Sequence, residues 1–284
     1  MKRAGASASI LLMLLVLSGC STSDPGESAG LNAFAGSPPA ERVDELVLLI
    51  HGSGDGAGSW PAQARDAMAA SGTGRLRRIL VVDWEAAAEN RPAAPRRGAR
   101  IGRDIAHALR RSWPAPRQVV LVSHSAGAFV AHGFAAALRN ENGAAAGGGS
   151  WDQVSVTQLF LDPFLARSPL AWRYGARRFG EHADRAFAWV NTDDPVPFTS
   201  RFPRHAESRD LTGRRDLRED AAALTDSQAP GHWLPVAAFI RLIEEMSPDA
   251  TFRETLEQAN SDMMRGLPKA SMRDEKTATQ PPPS

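Results

Sequence analysis

Ser125 stands inside SHSAG, Ser123–Gly127, where the apolar run QVVLV gives way to helical sequence. A serine hydroxyl is a weak nucleophile until a neighbouring base takes its proton. A strand, a sharp turn and then a helix present such a serine at the tip of a nucleophile elbow. The turn strains the backbone at the serine, so the residues two positions away on each side must be small. Here they are Ser123 and Gly127. The usual form of the motif is G-x-S-x-G, so Ser123 replaces a glycine while keeping the volume small. The start of the following helix carries partial positive charge, which helps hold an oxyanion. The plain alternative is a Ser/Gly-rich helix cap in some other α/β fold.

A second stretch invites two chemistries. LLIHGSGDGAGSW, Leu48–Trp60, is an apolar run that breaks into Gly52, Gly54, Gly56 and Gly58. Such a loop can hold an oxyanion or cradle a phosphate. Gly54-x-Gly56-x-x-Ser59 opens a helix, and Asp83 ends the next apolar run, as in a dinucleotide-binding βαβ unit. Its third small position is Ser instead of Gly or Ala. That reading also gives His51-Gly52 and Ser125 no task.

The elements that must position these residues alternate along the chain. Apolar runs at 46–50, 78–84, 118–125, 154–162 and 185–194 read as strands, the first continuous enough to be buried on both faces. Helical sequence fills 61–70, 96–113 and 126–140. The run 96–113 carries Ile101, Ile105 and Leu109 at helical spacing. An amphipathic helix closes the domain at 236–246. Strands alternating with helices predict an α/β fold with a mainly parallel sheet, helices on both faces and right-handed crossovers. The segment 168–180 is expected to form a small cap. The low-complexity run 142–150 reads as a loop. Residues 43–247 form the predicted domain. Within 248–284, residues 247–266 read as helical and the tail 267–284 as disordered.

The elbow and its surroundings resemble the α/β-hydrolase family over most of 43–246. VDW (82–84), VSHSAGA (122–128) and LDP (161–163) follow one another in the order found in the pancreatic-lipase-like branch. The resemblance implies a serine esterase or lipase and assigns its parts. The strand ending in His51-Gly52 leads into the oxyanion loop. There the N–H of Ser53, or next Gly54, joins that of Ala126. Residues follow in the order serine, acid, histidine. His232, in a Gly-rich loop just before the closing helix, falls where the family has its base. His51 and His124 belong to other motifs, His107 and His132 lie inside helices, and His182 and His205 have no supporting context. Two residues compete for the acid. Asp162 in LFLDPF is preferred, because the VDW and elbow context points to that branch. Asp194 in VNTDDPVP is the alternative, at the commoner site in the fold at large, and Asp193 is third. Two other readings stay open: a dinucleotide-binding α/β protein, and a hydrolase-fold binding protein without turnover.

Composition sets the outer bounds. The chain has 284 residues, 43% hydrophobic and 23% charged, with a formal net charge of +1. Nothing there points to nucleic acid. No HExxH, cysteine cluster or EF-hand pattern suggests a metal, and ester hydrolysis needs no organic cofactor. Lys2 and Arg3 precede the apolar run Ile10–Leu17, which is too short to span a bilayer as a lasting helix. With LSGC, Leu17–Cys20, this reads as a secretory signal (1–19) ending in a sequence that resembles a bacterial lipobox. Cys20 is the only cysteine, and the expectation is that it is lipidated. Residues 20–42, rich in Ser, Gly, Pro and Ala, would then tether the domain to a membrane. The resemblance to bacterial lipoproteins implies, with Ser and not Asp at position 21, sorting to the outer membrane of a Gram-negative envelope. The expected substrate is a small-molecule or lipid ester.

Overall fold

Every residue of the first strand, β1 (Glu45–Ile50), is buried. A strand with no polar face belongs inside a sheet covered on both sides. The computed structural model describes residues 43–70, 76–140, 151–225, 229–247 and 250–266. After β1 come α1 (Trp60–Ala70), β2 (Arg77–Val82), the short α2 (Glu85–Ala88), α3 (Ala94–Ser112) and β3 (Gln118–His124). A single 3₁₀ turn, Ser125–Gly127, leads into α4 (Ala128–Asn140), β4 (Ser155–Leu161), α5 (Tyr174–Arg178), β5 (Arg185–Val190) and β6 (Glu207–Asp210). Next are α6 (Arg218–Ala223), a 3₁₀ turn at Pro230–Trp233, α7 (Leu234–Glu244) and α8 (Phe252–Gly266).

The six strands form one sheet in the order β2-β1-β3-β4-β5-β6, and every pair is parallel. All the strands therefore end on the same edge, where the crossover loops gather. Side-chain alternation splits β1 between two cores. Leu46, Leu48 and Ile50 pack with Ile105, Leu109, Phe129 and Phe134 under α3 and α4. Val47 and Leu49 pack with Trp60, Phe239 and Phe252 of α1, α7 and α8.

The predicted helices and the first four strands appear within a few residues of their expected limits. Three segments differ. The fifth apolar run stops being a strand at Val190, and 191–194 turn away from the sheet. The strand β6 was not expected. Its sequence, ESRD, has neither an apolar run nor alternation, and it joins the sheet through backbone pairing with β5. The expected cap at 168–180 is partly core: Phe179 is fully buried and stacks on Phe160 at 5.3 Å. Past the closing helix, α8 buries Phe252 and Leu256. The Phe252 N–H donates to the buried Glu45 carboxylate at 3.1 Å, which also pairs with Arg77 at 2.5 Å. The expectations for 1–42, 142–150 and 267–284 fall outside the described residues. No helix among the described residues is long and apolar enough to cross a membrane.

Candidate active site

β3 ends at His124 and the chain turns at once. Ser125 has φ 51°, in the left-handed region that residues other than glycine rarely adopt. Gly127 cannot be larger: a Cβ there would lie 2.5 Å from the His51 carbonyl oxygen and 2.9 Å from that of Ile50. The turn is thus pressed onto the end of β1. The Ser125 carbonyl accepts the Phe164 N–H at 3.0 Å, which fixes the elbow to the loop after β4. Ser123 is fully buried, and its hydroxyl has no partner among the described residues. A glycine there would avoid that desolvation cost.

His232 lies in the 3₁₀ turn before α7 and is 8% exposed. Its loop is fixed from β5's side, where Asn191 Nδ2 donates to the Gly231 carbonyl at 3.0 Å. Both contested acids reach its Nδ1. Asp194 Oδ2 is 2.7 Å away in a hydrogen bond. Asp162 Oδ2 is 3.4 Å away and makes no hydrogen bond among the described residues. The sequence preferred Asp162; the structure brings both acids to the imidazole, and the closer, hydrogen-bonded carboxylate is that of Asp194. Asp193 is exposed and donates its N–H to Asn191 Oδ1, away from the imidazole. Among the described residues no hydrogen bond joins Ser125 Oγ to His232. Such bonds commonly tighten only once substrate is in place.

Electrostatics separates the two acids. Burial raises the Asp162 carboxyl to about 7, against the pull of His232. Burial pushes Asp194 the same way, but hydrogen bonds from His232 and Thr199 outweigh it and its carboxyl falls below the usual range. The Thr199 hydroxyl donates to Asp194 Oδ2 at 2.6 Å, and the Val196 N–H donates to Oδ1 at 3.1 Å. Burial alone would lower His232. The hydrogen bond to Asp194 and the close carboxylates of both Asp162 and Asp194 prevail and raise it to about 9.

The glycine loop folds against this centre. A Cβ on Gly52 would meet Ser125 Cβ at 3.0 Å, so the loop backbone lies directly beside the serine. His51 is locked by Trp84: the Trp84 N–H donates to its Nε2 at 3.2 Å and the Trp84 indole N–H to its carbonyl at 2.8 Å. The HG and VDW motifs are therefore two halves of one support. Asp55 was not singled out from sequence. Its Oδ2 accepts the Gly52 N–H at 3.1 Å and lies 3.0 Å from His124 Nδ1. His124 Nε2 is in turn 3.2 Å from the His232 carbonyl. One chain of contacts thus joins the glycine loop, the elbow and the histidine loop. The signal was available only as an aspartate among glycines and a histidine beside the serine, which sequence spacing does not connect.

These carboxylates also bear on the phosphate alternative. The Gly52 N–H is already taken by Asp55, and a Cβ on Gly56 would sit 3.1 Å from a Glu85 carboxylate oxygen. These two carboxylates oppose a phosphate in the loop, against the Arg91 guanidinium that lies 3.8 Å from a Cβ placed on Gly54. Asp83, the supposed ribose ligand, instead accepts the Glu85 N–H at 3.2 Å. Two clusters among the described residues have metal-ligand types within reach: Asp162, Asp194 and His232 themselves, and His132, Glu181 and His182. In the second, Glu181 already faces Arg178 at 2.7 Å, a cation that competes with any metal.

The model of the alpha/beta hydrolase family matches residues 47–274. Among solved structures, the chain is similar to a thermophilic esterase from the planctomycete Thermogutta terrifontis, in a propionate-bound and a native form. The identities are 15% and 14%, and the matches cover 81% of this chain in both cases. They cover 86% and 85% of the esterase, with TM-scores of 0.29 and 0.30. No curated protein matches.

Proposed function

The chain belongs to the alpha/beta hydrolase family, and from that premise we propose that it is a serine hydrolase cleaving carboxylic esters through an acyl-enzyme. The observation that carries the reading is the strained elbow at Ser125 together with an imidazole held by Asp194 and packed on the neighbouring His124 at 4.6 Å. Strain of this kind collects where function requires it. In the reading, Ser125 Oγ attacks the ester carbonyl carbon while His232 Nε2 takes its proton. The Nδ1–H stays on Asp194, which orients the ring and stabilises its charged form. The tetrahedral oxyanion is held by the N–H of Ala126, a first-turn donor with no intrahelical acceptor, and by that of Ser53. Collapse breaks the C–O bond, and the leaving alkoxide takes the proton from His232 Nε2 as an alcohol. Water then attacks the acyl carbonyl with His232 again as base, releasing the acid and restoring Ser125. Assigning the acid to Asp194 favours the arrangement with the carboxylate after β5 over the pancreatic-lipase-like one after β4.

Attachment through a lipidated Cys20, after removal of 1–19, is part of the same proposal. If it holds, Cys20→Ala releases the chain from membranes or leaves an unprocessed precursor. The hydrolase reading is tested by labelling with a fluorophosphonate and mapping the adduct. Label on the peptide containing Ser125, absent from Ser125→Ala, supports it. Unlabelled wild type, or label retained by the alanine variant, rejects it.

A further inference from the structure

Five large apolar side chains are exposed among the described residues: Leu76, Leu170, Trp172, Phe198 and Phe202. Four of the five lie on the two loops that leave β4 and β5, the strands whose ends carry the two acids. Leu170 is 98% exposed. Phe198 holds φ 68°, a conformation costly for a bulky side chain. It is kept there by the Leu165 N–H, which donates to its carbonyl at 2.9 Å, and by edge-on packing with Phe164 at 6.0 Å. The loops are therefore one surface. That surface is also fixed to the reacting centre, through Phe164 to the Ser125 carbonyl and through Thr199 to Asp194.

The exposed charge on these loops is mainly positive. Residues 162–184 carry Arg167, Arg173, Arg177 and Arg178 beside Asp162, Glu181 and Asp184, and residues 191–206 carry Arg201 and Arg204 beside Asp193 and Asp194. Of these acids Asp162 and Asp194 are buried at the imidazole, Glu181 pairs with Arg178, Asp184 pairs with Arg139, and Asp193 is exposed. Arg173 and Arg201 instead both lie over one exposed ring, Trp172, at 4.3 and 4.9 Å, and Arg167 lies over Tyr174 at 4.9 Å. Stacked guanidiniums keep their donors free to meet an anion.

We propose that this rim docks on the headgroup layer of an anionic phospholipid bilayer, so that the reacting centre faces lipid-borne esters. Leu, Trp and Phe at loop tips suit the boundary between headgroups and acyl chains, and interleaved arginines suit anionic headgroups. A second copy of the same surface would bring like charges together, which opposes self-association. The geometry also agrees with a tether. The rim lies at the C-terminal edge of the sheet, and the chain enters β1 at the opposite edge. Residues 21–42 reach at most about 75 Å, well beyond the roughly 20 Å of a six-residue strand. The proposal rests on Ser125 being the centre of a hydrolase only for the nature of the lipid's fate, and docking itself is measurable without turnover.

The test uses the full chain, so that the N-terminal segment is common to every variant. Partition is measured onto phosphatidylcholine vesicles and onto vesicles of phosphatidylcholine and phosphatidylglycerol in equal parts. Turnover of a soluble short-chain aryl ester is followed alongside. Wild type should prefer the anionic vesicles, less so as salt rises. Arg173→Gln with Arg201→Gln should weaken anionic binding about 30-fold, roughly fivefold per charge. Leu170→Ser with Phe202→Ser should weaken binding to both vesicle types by about tenfold or more. All variants should keep wild-type turnover of the soluble ester, which also shows that they are folded. Equal binding to both vesicle types, or variants that bind like wild type, overturns the docking surface. So does a dimer that Leu170→Ser with Phe202→Ser dissociates. Loss of soluble-ester turnover in wild type would reject the hydrolase reading while leaving the docking result to stand alone.

Discussion

Two aspartates, one past the end of β4 and one in the turn after β5, converge on a single imidazole, and they are held in opposite ways. Asp194 is provided with donors: His232, the Thr199 hydroxyl and the Val196 N–H. Asp162 has one, the Asn191 N–H on Oδ1 at 3.1 Å, and its Oδ2 is buried without any. A carboxylate surrounded by donors stays charged at neutral pH, whereas one that is desolvated holds its proton to a higher pH. Position after a strand does not tell these two carboxylates apart; the donors around each one do. Backbone strain falls on the other acid: Asp162, with φ 46°, is as left-handed as Ser125, whereas Asp194 is not.

The comparison breaks most clearly at Asp194. Asp194→Asn should reduce kcat on a short-chain aryl ester by about 10⁴, through loss of tautomer control of His232. If Asp162→Asn shows that loss instead, the roles are exchanged. Thr199→Val comes next. It removes a donor from a buried charged acceptor, an interaction of about 1.5–3 kcal/mol. It should lower kcat about tenfold, measured on the same ester, with no comparable effect of polar substitutions around Asp162.

Asp162→Asn should leave kcat within about a few-fold, because Asn resembles the protonated acid and can still accept the Asn191 N–H. Its effect should appear in the pH profile. The carboxylates raise His232, so removing one lets the imidazole become neutral at lower pH. The acid limb of kcat/KM should therefore move to lower pH. An unmoved limb would mean that Asp162 carries no charge the base can feel.

A separate effect is on stability. The folded-state pKa of Asp162, about 7, lies above the ordinary 3.8. The folded chain keeps a proton that the unfolded chain releases. Its contribution is complete below pH 3.8 and is lost as pH rises to about 7. Asp162→Asn removes that loss. Its Tm relative to wild type should climb between pH 4 and 7 and level off above, as followed by circular dichroism. A constant Tm difference across that range would contradict the assigned burial.

Legibility in the sequence followed the range of the interactions. The core strands and long helices are local apolar patterns, so β1, β3 and α3 could be placed from spacing alone. The strand β6 could not, because its four polar residues gain their place only from β5's free edge. The elbow was legible because strand, serine and helix are contiguous. The acid was not, because Asp162 and Asp194 each precede a proline after an apolar run and differ only in who donates to them. Asp55–His124 and the arginine-stacked Trp172 were hidden for the same reason. Asp55 with His124, and Trp172 with Arg201, are distant in the chain, and neither half of either pair carries a signal alone.

The central claim is that Ser125 carries the acyl group. Its most direct test mixes the chain with excess short-chain aryl ester, quenches in acid and maps the added mass. The account predicts an acyl adduct on the peptide containing Ser125, and neither adduct nor appreciable turnover in Ser125→Ala. An adduct on a different residue, or wild-type turnover by Ser125→Ala, would contradict it.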